Sequence, residues 1–120
     1  MSALAVLHVV VDIYVQSDKA ERVKKLLYDL ASQAKREEGC MRYRLCEDLA
    51  DKTHLICIEQ WETELAYEDH LKTEHIKKCG EELKDDLASP AEVRRYKIVQ
   101  IESTVKKETT TNSSGFCNIL

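Results

Sequence analysis

No Cys-x-x-Cys pair exists among the five cysteines of this 120-residue chain, which fall at the irregular positions 40, 46, 57, 79 and 117. Structural zinc sites are commonly built from such pairs, so that class is set aside. An odd, irregular set also suits a reducing compartment better than a disulfide framework. Cys40, Cys46, Cys57 and Cys79 read as small core or near-core hydrophobes. Basic charge is not in excess: 18 Lys and Arg stand against 22 Asp and Glu, a net charge of −4, with no basic stripe interleaved with aromatics. That argues against nucleic acid as a partner. Long hydrophobic runs are missing too. The apolar part of MSALAVLHVVVDIYV is interrupted by Asp12 and falls well short of the roughly 20 residues a membrane-spanning helix takes. The same stretch lacks the basic region and small-residue cleavage site of a signal peptide. No glycine-rich phosphate loop and no nucleophile elbow can be traced, in a chain with three glycines.

What is present is the pattern of one domain, 43% hydrophobic and 33% charged, an ordinary globular balance. LAVLHVVVDIYV is rich in β-branched residues and ends at Gln16-Ser17-Asp18, which predicts a first strand. Asp18 and Glu21 have capping-box spacing. Ala20, Val23, Leu26, Leu27, Leu30, Ala31 and Ala34 then recur at helical intervals, with Gly39 placed to close the helix. CMRYRLCED alternates, with Met41, Tyr43 and Leu45 on one face and Arg42 and Arg44 on the other. After the turn LADKT, THLICIEQW shows Leu55, Cys57, Glu59 and Trp61 to one side. Thr63 caps a short helix, ELAYEDHL, and Thr73 caps a second whose apolar stripe is Ile76, Cys79, Gly80, Leu83 and Leu87. Pro90 stops that helix, and RRYKIVQIEST forms the last strand.

The order β-α-β-β-α-α-β predicts an α+β fold, a ferredoxin-like sandwich with its helices on one sheet face. Strand one carries Leu7, Val9, Val11 and Ile13 on one side but Val6, Val10 and Tyr14 on the other. An apolar back face in water asks for cover, which predicts a homodimer. Residues 1–104 are expected to form this domain, and residues 105–120, without apolar periodicity, a solvated tail.

Between Arg36 and Lys78, the ordered set Glu38-Gly39-Cys40, Tyr43, Asp48, Glu59, Trp61, Ala66, His70-Leu71, Thr73 and His75 resembles the antibiotic biosynthesis monooxygenase family. These are dimeric α/β-barrel domains that include cofactor-free quinol monooxygenases, and the resemblance extends over residues 4–104. It implies a pocket between sheet and helices for a small aromatic or quinol ligand, whose deprotonated form reacts with O2 without metal or flavin. Such chemistry needs a base near the phenolic proton and donors for the oxyanion, in a mostly apolar cavity. His70, four residues after Ala66 on the inner side of the short helix, is the candidate catalytic base. Tyr43 and Trp61 are candidates to shape the pocket, with His75 and His8 as secondary candidates.

Plainer roles compete for each. His70 suits a tie from the short helix to a backbone carbonyl, and Trp61 a core or interface anchor. Tyr43 suits packing and His8 a local pair with Asp12; Glu59, next to Trp61 on the sheet, is a further candidate base, with a cross-strand ion pair to Arg42 or Arg44 as its favoured role. His70 and His75 are five residues apart across an expected helix break at Lys72-Thr73, a spacing that predicts no shared metal. The heme-degrading branch implies an asparagine on strand one, a tryptophan on the short helix and a histidine about a turn into the next. Here those places hold Val11, His70 and Gly80.

The sequence closes on Cys117-Asn118-Ile119-Leu120, which fits the C-a-a-X signal for a prenyltransferase, Leu120 favouring geranylgeranyl transfer. One lipid chain binds a membrane marginally, while two on a dimer engage it bivalently. The expected location is therefore the cytoplasmic face of a membrane. The leading functional expectation is a cofactor-free monooxygenase of a phenolic or quinol compound. The alternative is a non-catalytic dimeric barrel serving as a binding or stress-response module.

Overall fold

β-Branched side chains fit the pleat of a strand. In the computed structural model, which describes residues 6–101, Leu7–Tyr14 accordingly form β1. A 3-10 turn over Ser17–Lys19 leads into α1 (Ala20–Ala34). β2 (Cys40–Asp48) and β3 (Asp51–Trp61) make a hairpin. Two helices, α2 (Glu64–Leu71) and α3 (Glu74–Leu83), precede β4 (Glu92–Tyr96). All neighbouring strands are antiparallel, in the order β2-β3-β1-β4. This is the α+β ferredoxin-like sandwich that the element order predicts. The domain boundary at 104/105 and the tail with Cys117 lie outside the described residues.

The core lies between the sheet and the helices. Val9, Ile13, Leu55, Cys57 and Trp61 meet Val23, Leu27, Leu30 and Ala31 of α1 and Leu83 of α3. Full burial of a side chain of this size contributes about 1.5–3 kcal/mol, so these contacts fix the register on which the site depends.

Several element ends differ from expectation, each for a local reason. Asp18 sits in the 3-10 turn and does not cap α1, whose N-cap is Lys19 with no side-chain bond. α3 stops at Leu83 rather than running on past Leu87. The chain leaves the helix to pair with the end of β1: Gln16 N donates to Asp86 O at 3.0 Å, Ala88 N donates to Tyr14 O at 2.8 Å, and Leu87 bridges Val15. β4 ends at Tyr96 because that residue already faces His8, one position from the start of β1.

Gly39 does not close α1, which ends at Ala34. It has a φ of +88°, and a Cβ there would lie 2.6 Å from the Ala66 Cβ of α2. Its carbonyl accepts from Glu62 N at 2.8 Å, which pins the α1–β2 loop beneath α2. Gly39→Ala combines a left-handed backbone with a methyl–methyl clash, so unfolding in urea should show a loss of about 2–4 kcal/mol.

The helix-free face of the sheet holds a second departure. Cys40 is opposite Trp61 and Arg42 opposite Gln60, so Met41 is the extra residue of a β-bulge. Strict alternation places Met41 beside Tyr43. The bulge turns it instead to the open face, where it lines a shallow hollow with Val6, His8 and Gln60. Ile58 at 38%, Tyr96 at 48% and Met41 at 51% remain exposed on this side. The expected His8–Asp12 pair does not form. Asp12 Oδ1 instead meets His54 Nε2 at 2.7 Å, Asp48 Oδ2 meets His54 Nδ1 at 2.9 Å, and the imidazole stacks on Tyr14 with ring centres 4.5 Å apart. Hydrogen bonds first to Asp48 and then to Asp12 raise the His54 pKa.

Candidate active site

Thr63 Oγ1 accepts from Ala66 N at 3.0 Å, the expected cap, and so sets the phase of α2. With that phase fixed, Tyr67 and His70, one turn apart, are the buried residues of the helix. They close over the inward side of the hairpin, where the alternation of β3 delivers Glu59 and Trp61 and that of β2 delivers Tyr43. His70 is 2% exposed, its ring centre 4.6 Å from Trp61, 5.8 Å from Tyr43 and 5.9 Å from Tyr67. Aromatic surfaces therefore hold the imidazole on three sides.

Its polar partner is a side chain, not a backbone carbonyl. His70 Nδ1 lies 2.8 Å from Glu37 Oε2 and 3.0 Å from Oε1, on the loop that Gly39 pins. A carboxylate accepts, so Nδ1 carries the proton and Nε2 keeps its lone pair. Nε2 has no hydrogen-bond partner among the described residues. Burial lowers the His70 pKa; the hydrogen bond and charge of Glu37 act against that shift, and His75 adds to it. A ring that is neutral at pH 7 with a free lone pair is a proton acceptor.

His70 forms part of the wall of a cavity of about 180 Å³ between sheet and helices. Val11, Ile13, Leu27, Leu30, Ile76 and Leu83 make most of that wall apolar, while Tyr43, Glu59, Tyr67 and His70 add polar groups. The exposed residues Leu71, Gly80 and Val93 mark its mouth. Glu59 corrects an expectation. Its cross-strand neighbour is Tyr43, whereas Arg42 and Arg44 face Gln60 and Ile58 on the opposite side of the sheet. No ion pair with either arginine is open to it. Glu59 is 2% exposed and accepts from Trp61 Nε1 at 2.9 Å. Burial pushes its carboxyl up to about 7, against the hydrogen bonds from Trp61 and Tyr43. Burial likewise raises the Tyr43 phenol, and that of Tyr67 to about 12.

The remaining sequence candidates fall in different places. Trp61 is wholly buried behind His70 as a packing wall. His8 is on the open sheet face, away from the cavity. His75 is also outside it, but Glu37 Oε2 bonds to its Nε2 as well. The expectation that the five-residue gap separates the two histidines thus fails. The break between α2 and α3 turns the chain back, and the rings come to 6.3 Å. Ligand atoms of Glu37, His70 and His75 lie within 4.8 Å of one another, close enough to suit a metal ion. The nitrogen of each ring that faces Glu37 is already hydrogen-bonded to the carboxylate, so the cluster is satisfied without one.

Glu37 and Tyr67 are the site residues that sequence reasoning missed. Tyr67 could have been found one turn before His70 on the same helix face. Glu37 carries no signal, since it belongs to a run of charged loop residues.

Residues 6–82 match the family described as antibiotic biosynthesis monooxygenase. Among curated relatives, the uncharacterized protein sll1783 of Synechocystis sp. is 30% identical over 92 residues, covering 77% of this chain and 63% of that protein. The chain thus spans less than two thirds of that relative's length. YcnE of Bacillus subtilis is 27% identical over 86 residues, covering 72% of this chain and 90% of YcnE. The crystal structure of PA3566 from Pseudomonas aeruginosa superposes with a TM-score of 0.78 at 24% identity, covering 83% of this chain and all of that one, a likeness of fold.

Proposed function

The chain belongs to the antibiotic biosynthesis monooxygenase family, and on that premise we propose that it oxygenates a single-ring phenol or hydroquinone, with His70 as the base. The observation that carries this reading is the free Nε2 of a Glu37-held imidazole at the wall of an apolar cavity. Cavity size supports the ring. An apolar cavity of about 150 Å³ holds benzene, and this one measures about 180 Å³. Substituents would project through the mouth at Leu71 and Val93.

In this reading His70 Nε2 takes the phenolic proton, and the electron-rich phenolate reduces O2 directly. A C–O bond forms on the ring and the O–O bond breaks. One oxygen atom stays on the ring; the other leaves as water with the two hydrogens the substrate loses. No outside reductant is needed. Glu59, its carboxyl pushed up to about 7, is protonated in about half of the molecules at pH 7 and in more below it. That proton can pass to the departing oxygen, the substrate's second hydrogen replacing it. The test is O2 uptake with a panel of hydroquinones and phenols. Uptake matched one-to-one by oxygenated product is expected. Ring binding with no uptake across the panel would leave the non-catalytic binding module.

The proposal includes a homodimer, supported by the apolar side chains of the open face. The wild-type protein should sediment at twice its 13.8 kDa monomer mass. Ile58→Glu, which puts a charge on that face, should shift it toward the monomer in the same ultracentrifuge run. Lipidation at Cys117, with the membrane location it brings, rests on sequence alone. Mass spectrometry of the C-terminal peptide from cells decides it, a prenyl adduct being expected.

A further inference from the structure

Glu37 is shared. His70 Nδ1 reaches both of its oxygens, and His75 Nε2 reaches one of them from the other side. Side-chain exposure rises along this row, from 2% at His70 through 14% at Glu37 to 21% at His75. His75 also lines a separate surface groove of about 360 Å³ between α1 and α3, with Asp29, Glu74, Lys78 and Glu82. One end of the row therefore stands in an apolar cavity and the other at water.

We propose that His75 is the positioning partner of His70, the two imidazoles balancing one carboxylate so that only one of them is cationic at a time. This rests on the reading of His70 as the base. With substrate seated in the mouth, a proton accepted at His70 Nε2 has no direct way to solvent, and a second buried positive charge beside His75 would be repelled. Release of a proton from His75 Nδ1 into the groove, as His70 Nε2 takes one from the substrate, keeps the charge of the cluster constant. The substrate proton moves to His70, the His75 proton moves to water, and no proton has to cross Glu37. At the end of the cycle His70 Nε2 gives its proton to the departing oxygen, which leaves as water, and His75 Nδ1 takes one back from the groove. Other titratable groups near His70 are Tyr43, Glu59 and Tyr67. Near His75 they are Asp29, Glu74, Lys78, Cys79 and Glu82.

The test begins without substrate, on the full chain, by following both imidazoles by nitrogen-15 NMR as pH is changed. Coupled sites titrate in two steps, each seen at both rings. His75→Gln and Glu37→Gln should each reduce the His70 curve to a single step. Its midpoint should rise in His75→Gln, which removes the competing cation, and fall in Glu37→Gln, which removes the carboxylate. Independent single-step curves in the wild type, or a His70 curve unchanged in His75→Gln, would overturn the proposal, whether or not any substrate is oxidised. In turnover, His75→Gln should lower kcat by about tenfold with KM unchanged. Imidazole diffusing into the groove should restore part of the rate in His75→Ala. An unaltered kcat, or a loss that imidazole does not relieve, contradicts the proposal, while absent wild-type turnover counts only against the oxygenase reading.

Discussion

His70→Ala should lower kcat for oxygen uptake by about 10²–10⁴-fold, the usual contribution of a positioned base. Truncating a buried ring packed on Trp61 also opens a void, so a loss of stability of about 2–5 kcal/mol accompanies that variant. His70→Gln separates the two effects. It keeps most of the volume and a donor for Glu37 but offers no imidazole lone pair, so activity should fall almost as far with a much smaller loss of stability. The pH profile carries a further signature. A base must be unprotonated to work, and burial sets the His70 pKa below its ordinary 6.5. Below about pH 7, where Glu59 keeps its proton, the wild-type rate should therefore hold steady down to the His70 value, then drop below it. An acid limb above pH 7 would point to a different group.

Glu59→Gln has the second large effect, on stability, and its sign follows from burial. The carboxyl sits near 7 in the folded protein against 4.5 for an ordinary glutamate. Between those values the folded state holds the proton more often than the unfolded state does. Folding stability contributed by this group is thus lost as pH rises from about 4.5 to 7, and the full penalty applies above that window. The gap between 4.5 and about 7 corresponds to about 3 kcal/mol. The substituted amide cannot ionise and still offers a carbonyl oxygen to the Trp61 indole. Glu59→Gln should accordingly be more stable than the wild type by about 2–3 kcal/mol at pH 8 and nearly equal to it at pH 4.5. Urea denaturation at the two pH values reads this directly. Equal stabilities at pH 8 would mean that water reaches the carboxylate. Retention of a buried acid at such a cost fits a group kept for proton transfer.

Wherever one local rule acts alone, the sequence is legible. Leu55, Cys57, Glu59 and Trp61 alternate on β3 and all four are buried, while Thr63 and Thr73 cap the helices that follow them. Legibility fails where tertiary contacts decide. A bulge reverses Met41, and pairing between Val15 and Leu87 ends α3 early. His70 is visible because it lies on an inward helix face. Its partnership with Glu37 and His75 joins residues 33 and five positions away through two chain reversals, with no periodic trace. Alternation puts Glu59 on the correct strand face but does not name its partner, since Arg42 and Arg44 alternate away from it. The fold is therefore readable almost throughout, while the electrostatics of the site arise from contacts between distant segments.

An anaerobic crystal structure with a bound hydroquinone probes the pairing of ring and imidazole most closely, since without O2 the substrate stays intact. One phenolic oxygen should lie about 2.6–3.2 Å from His70 Nε2, with the ring between Val11 and Ile76 and the Glu37–Nδ1 bond preserved. A hydroquinone seated instead in the α1–α3 groove or on the open sheet face, with the cavity empty, would contradict the assignment of His70.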